Sequence, residues 1–313
     1  MENSAEKIKQ AYQLLNLCIV CPRDCKVNRL IAAEGFCRAG VNIRISSALV
    51  HRGEEPPISG TKGSGTIFFS GCNMACQFCQ NFEISQEDLG HKISEKDLAE
   101  EMLKLQKQGV HNINLVSPTH FGPQILKTLV AAKEKGLKIP IVYNSNGYDD
   151  IEMLGLFNGL IDIYMPDIKY GYGQHASKYS NTPRYVESSH LAIEEMFKQV
   201  GPLKVDANGV ATRGLLIRHL VLPNRISGTF DVLKYIASIS TEIWVSIMSQ
   251  YFPTYCANQY PEINRALTQK EYQEVVDYAK KLGFESMLLQ QLSSSKTYRP
   301  NFKQKDVFKE AKE

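Results

Sequence analysis

From residue 65 onward the sequence alternates between short apolar runs and amphipathic stretches, and no other feature restricts the fold so strongly. The runs lie at 66–70 (TIFFS), 113–116 (INLV), 139–143 (IPIVY), 161–165 (IDIYM), 214–222 (GLLIRHLVL), 242–247 (EIWVSI) and 286–289 (SMLL). Between them the spacing predicts helices. One covers 94–108, with Ser94 as N-cap, Asp97 in the first turn and Gly109 as the stop. Residues 123–135 end at Gly136 in the same way, and 268–282 run from Thr268 to Gly283. Further helices are expected at 149–157, 187–199 and 229–239. Strand and helix in strict turn argue an α/β chain built on a parallel sheet, and six repeats suit a partial (βα)6 TIM-like barrel. A doubly wound open sheet is the alternative, but no G-x-G-x-x-G follows the first strand to favour it.

The two ends do not share the repeat. Residues 1–64 hold four cysteines and the Gly/Pro-rich stretch EEPPISGTKGSG, and are expected to form a small Cys-rich N-terminal appendage. The barrel is assigned to 65–290. Residues 291–313 are polar with alternating charge and read as a solvated tail, or as an arm that touches substrate. Hydrophobic content of 43% suits a sizeable core. A net charge of +3 gives no argument for nucleic acid. No run approaches a membrane span, and the charged, helix-like N-terminus has no apolar signal core, so a cytoplasmic protein is expected.

Seven of the eight cysteines lie in two clusters within the first 79 residues. In a reducing compartment such clusters are metal ligands or catalytic groups more often than disulfides. The stretch GCNMACQFCQN carries Cys72, Cys76 and Cys79 in a C-x3-C-x2-C spacing, on the loop after the first strand of the repeat. In parallel α/β barrels the chemistry sits on such loops. Three thiolates suit a [4Fe–4S] cluster with one iron left open, whereas a structural site closes with four ligands. Zinc held by three cysteines and a water is the competing reading.

With aromatic Phe78 before its last cysteine, this loop resembles the signature of the radical S-adenosylmethionine (SAM) superfamily. The resemblance implies that SAM chelates the open iron and is cleaved by one electron to a 5′-deoxyadenosyl radical that abstracts hydrogen. Later segments resemble the pyruvate formate-lyase activating enzyme branch, in order, over roughly 65–255. They are YNSNGY (143–148), IDIYMPDIKY (161–170), IRHLVLPN (217–224) and VSIMSQYFP (245–253). By that resemblance Asn146, Asp167, Lys169 and Arg218 meet SAM, with Arg218 suited to its carboxylate, and Phe78 lies beside it. The branch's acidic Gly-Gly-Glu element is replaced by VSPTHFGP (116–123), so Ser117 and Thr119 would receive the SAM amino group. The early cysteines look most like a group related to activating enzymes, in which activation of a glycyl-radical enzyme is one option.

Cys18, Cys21, Cys25 and Cys37 form a C-x2-C-x3-C-x11-C set. Four ligands make a closed site for zinc or a second [4Fe–4S] cluster, unless the thiols stay metal-free. Cys256 stands alone and reads as packing. The Gly- and Tyr-rich loop after the fourth strand places Tyr170, Tyr172, His175 and Tyr179 near the substrate mouth, and His120 and Tyr251 are further candidates there. The expected partners are an electron donor such as flavodoxin or ferredoxin and a protein, peptide or small-molecule substrate, with no membrane and no nucleic acid. A zinc-stabilised binding protein is the non-enzymatic alternative.

Overall fold

The computed structural model describes residues 4–31, 34–294, 300–304 and 307–308. The strands are β1 (Ile43–His51), β2 (Ser64–Phe69), β3 (His91–Ile93), β4 (Ile113–Val116), β5 (Ile141–Asn144), β6 (Ile163–Tyr164), β7 (Lys204–Val205), β8 (Ala211–Leu220), β9 (Trp244–Met248) and β10 (Met287–Leu289). They form one sheet in the order β10-β9-β8-β6-β5-β4-β2-β1-β3, with β7 antiparallel to β8. From β2 to β10 the strands on this path are parallel and follow chain order without reversal. A doubly wound sheet reverses direction at a switch point; this one winds one way, as a partial TIM-like barrel does.

The helices fall where the caps place them. Ser94 Oγ accepts the Asp97 N–H at the start of Glu95–Lys107, and Thr268 and Glu271 form a capping box at Gln269–Lys281. Helices Gly122–Glu134, Ile151–Leu156, Tyr185–Val200 and Thr229–Ile239 complete the outer layer. Side chains alternate across each strand. Ile67, Leu115, Tyr143, Ile217 and Val245 point out and pack under the helices with Leu98, Ile125 and Leu233. Each such burial contributes roughly 1.5–3 kcal/mol. The alternate positions point in. Val142, Ile163, Met165 and Leu216 pack on Ile58 as an apolar floor, and above it the inward positions turn polar at Asn144, Asp167 and Arg218.

Three segments differ from the sequence reading. Residues 43–51 were placed in the appendage, yet β1 pairs with β2, with His51 opposite Ser64. The turn that follows β1 therefore runs beneath the barrel. The Gly- and Tyr-rich loop after β6 contains a helix, Gly173–Ser180. The sequence reads the stretch after residue 290 as a solvated tail or as an arm that touches substrate. Its described residues Phe302 and Val307 are instead buried on Phe68, Ile84 and Val116. Phe308 stacks on His51 with ring centroids 3.9 Å apart. A few aromatic residues in a polar stretch sufficed to dock it, helped by Glu83, which accepts from the Phe302 N–H at 2.8 Å and pairs with Lys303 at 3.3 Å.

Candidate active site

The cysteine loop leaves β2 at Gly71, whose φ of +82° and contact with the Cys37 carbonyl exclude a side chain. Its shape is imposed by helix Gly173–Ser180. The Ala75 and Gln77 N–H groups donate to the Ser180 and Tyr179 carbonyls at 2.9 and 2.8 Å. The sulfurs are individually supported. Ser180 Oγ donates to Cys76 Sγ at 3.1 Å, and Asn146 Nδ2 lies 3.5 Å from Cys72 Sγ. The Met74 N–H donates to Cys72 Sγ at 3.3 Å, and Ser85 Oγ lies 3.3 Å from Cys79 Sγ. Burial first, and then the charge of neighbouring thiolates, pushes Cys72 up to about 12 and Cys79 up to about 11. Burial also raises Cys76, against the pull of Lys169. Thiols so placed ionise readily only when a positive centre takes them as ligands.

All three cysteines face a cavity of about 750 Å³ inside the barrel, with Phe78, Ser117, Asn146, Asp167, Lys169 and Arg218 on its walls. Arg218 organises the polar layer. Its Nε donates to Asp167 Oδ1 at 2.9 Å, its Nη2 to Asn144 Oδ1 at 2.8 Å, and its Nη1 meets Glu54 at 3.3 Å and Glu55 at 3.7 Å. Lys169 pairs with the other oxygen of Asp167. Burial would raise the Asp167 carboxyl, but Arg218 and Lys169 outweigh it and hold it below the ordinary range. Burial raises both Glu54 and Glu55, against Arg218. Three acidic side chains thus face two cations on the wall of one cavity.

Several expected residues lie elsewhere. Thr119 Oγ1 donates to Asp149 Oδ1 at 2.6 Å, in a buried knot where Tyr143 and Ser145 also donate, so its hydroxyl is engaged away from the cavity. His120 is buried against the Ser70 carbonyl at 2.8 Å and borders the upstream cysteines. Tyr170 Oη meets Ser180 Oγ at 2.7 Å and so backs Cys76 from behind. Tyr172 is exposed and bonds Asp231, His175 Nδ1 meets the Ile226 carbonyl at 2.7 Å, and Tyr179 donates to Glu262 at 2.6 Å. Tyr251 packs edge-on behind Phe78 and donates to the Ile263 carbonyl at 2.6 Å. Tyr170, Tyr179 and Tyr251 pack with Met74, Cys76 and Phe78 of the cysteine loop, and none of these rings lines the cavity. Missed by the sequence reading were Glu54 and Glu55. Their one signal was an acidic pair before two prolines in an otherwise Gly-rich stretch.

Fold and site together define an α/β barrel protein whose thiols and charged groups surround one cavity. The sequence profile of the Radical SAM superfamily matches residues 66–201. An uncharacterized protein of Methanocaldococcus jannaschii is 32% identical over 292 residues, covering 89% of this chain and 79% of that one. The crystal structure of methylornithine synthase superposes with a TM-score of 0.50 at 14% identity, over 92% of this chain and 70% of that one. Streptococcus suis SuiB, solved bound to S-adenosylmethionine, has a TM-score of 0.48 at 12% identity, over 71% of this chain. The chain spans about half the length of SuiB, 48%. Residues 66–201 thus carry a radical SAM domain, and members of that superfamily are enzymes that use a [4Fe–4S] cluster and SAM.

The donor set fits that cluster. Among the described residues no three Cys, His, Asp or Glu side chains stand close enough to share a single ion. Thiolates bound to separate irons need no such convergence.

Proposed function

We propose that Cys72, Cys76 and Cys79 hold the [4Fe–4S] cluster and that the cavity beside them binds SAM as an activating-enzyme-like radical SAM enzyme does. The observation that carries this is the meeting of the three cysteines with Asn146, Asp167, Lys169 and Arg218 on one cavity wall. Bound there, cluster and SAM supply a one-electron cleavage whose product abstracts a hydrogen atom from substrate. The chain's part is to bind and orient. SAM carries more positive than negative groups, and the acidic side chains around Arg218, with Asp167 ionised, suit it. Asp167, kept ionised, accepts from an ammonium or ribose hydroxyl. Arg218 and Lys169 hold the SAM carboxylate, and Ser117 faces its amino group. The electron comes from a flavodoxin or ferredoxin in the cytoplasm, and the upstream cysteines form a second metal site.

Among the described residues no helix is long and apolar enough to cross a membrane. Pro300 and Phe308 border the cavity, and Phe302 packs on Phe68 beside it. That wall favours a small metabolite or an extended peptide over a folded glycyl-radical enzyme as substrate. SAM affinity of the reconstituted protein, measured by equilibrium dialysis, tests the assignment. Asn146→Ala is expected to weaken it about tenfold, the loss of one well-placed polar contact. Unchanged affinity rules Asn146 out.

A further inference from the structure

The four upstream cysteines line one enclosed pocket together with Arg23 and Arg29. The space inside it open to the centre of a water-sized sphere is about 10 Å³. Zinc with four thiolates holds each sulfur at about 2.3 Å. The radii of sulfur and water together exceed that distance, so sulfurs drawn in to a zinc ion leave no such space. As they stand, no three of these thiols form a group that could hold a single metal ion. The same holds for the three barrel-loop thiols, and in the cluster proposed there each thiolate has its own iron.

Two arginines suit a thiolate-bound metal centre whose total charge is negative. Arg29 is fully buried, with Nη1 on the His120 carbonyl at 2.8 Å and 3.8 Å from Cys18 Sγ, and Nη2 on the Gly40 carbonyl at 2.9 Å. Its Nε meets no hydrogen-bond acceptor among the described residues. A buried guanidinium in such a setting is costly unless a negative group lies beside it. Arg23 lies over the Phe36 ring at 3.4 Å and donates through Nε to the Asn73 carbonyl at 2.7 Å. Four thiolates around a doubly positive iron–sulfur core leave two negative charges, which these two arginines balance.

The geometry points to a second [4Fe–4S] cluster held by Cys18, Cys21, Cys25 and Cys37, with a protein thiolate on every iron. It sits against the barrel loop. A Cβ on Gly71 would stand 2.7 Å from the Cys37 carbonyl oxygen, and Asn73, next to Cys72, lines the pocket. This inference deepens the reading of the upstream cysteines as a metal site and stands independently of SAM cleavage.

Iron, sulfide and zinc are measured on the full chain after anaerobic reconstitution. The samples are wild type, the Cys72→Ala/Cys76→Ala/Cys79→Ala variant and the Cys18→Ala/Cys21→Ala/Cys25→Ala/Cys37→Ala variant. Wild type is expected to hold about eight irons and each variant about four, with no zinc. In the reduced barrel-loop variant, the electron paramagnetic resonance signal is unchanged by SAM, because no iron is open. That variant carries the test even if the upstream variant fails to fold. Four irons and one zinc in wild type, or no iron in the barrel-loop variant, overturns the second cluster. If iron stays in the barrel-loop variant and is absent from a folded upstream variant, it is the barrel-loop cluster that fails instead.

Discussion

The hydroxyl of Ser180 lies 3.1 Å from the sulfur of Cys76, a residue 104 positions earlier in the chain. The same hydroxyl is fixed from behind by Tyr170 at 2.7 Å. A hydrogen bond to a ligand sulfur favours the reduced, more negative form of a cluster and so raises its potential. Ser180→Ala should therefore keep its full iron content and shift the midpoint of the SAM-responsive signal to a more negative value in a potentiometric titration. An unchanged midpoint would remove Ser180 from the account.

Arg218 is the counter-charge for Asp167, Glu54 and Glu55 together. Arg218→Met leaves buried carboxylates under-compensated and is expected to cost roughly 3–5 kcal/mol in stability. Chemical denaturation of the metal-free protein measures it. Adding Glu55→Gln removes one of the stranded charges and should restore part of the loss. If the double variant is no more stable than the single, the charge network is not what holds the site.

Gly147 has a φ of +76°, and a Cβ there would stand 2.2 Å from the Asp167 carbonyl oxygen. Backbone cannot yield as a flexible side chain does. Gly147→Ala should push Asn146 and Asp167 apart and lower SAM affinity at least as much as Asn146→Ala, read by equilibrium dialysis on reconstituted protein. Retained affinity would mean the two strand ends move independently.

His219 is buried between the Ile168 carbonyl, 2.6 Å from Nδ1, and Thr229 Oγ1, 2.8 Å from Nε2. Burial lowers it from 6.5 to about 4, so it folds as the neutral ring. The unfolded chain takes up its proton at the higher value. Stability is therefore lost as pH falls through this window, by up to about 1.4 kcal/mol per pH unit for this one group. Thermal unfolding of wild type and His219→Gln between pH 7 and pH 4 should show the shallower decline in the variant. Parallel curves would contradict a neutral buried His219.

What the sequence made legible follows from local physics. Strands and helices of the barrel declared themselves through apolar period and caps, with Ser94 and Thr268 acting as expected. Asn146, Asp167, Lys169 and Arg218 were singled out through the resemblance to the activating-enzyme branch, and the structure brings them to one cavity. What stayed hidden depends on distant pairing. Glu54 and Glu55 acquire meaning only through Arg218, 164 residues from Glu54. Tyr170 and Tyr179 looked like a substrate loop because aromatic content alone does not tell packing from recognition. Thr119 lost its assigned part to Asp149, a buried acceptor that three hydroxyls satisfy.

The most direct measurement is the yield of 5′-deoxyadenosine when the anaerobically reconstituted protein is given dithionite and SAM. The account predicts its formation by wild type and by a folded variant lacking the four upstream cysteines. It predicts none from Cys72→Ala, Cys76→Ala or Cys79→Ala. Undiminished 5′-deoxyadenosine from any of these three, or none from fully iron-loaded wild type, would contradict it.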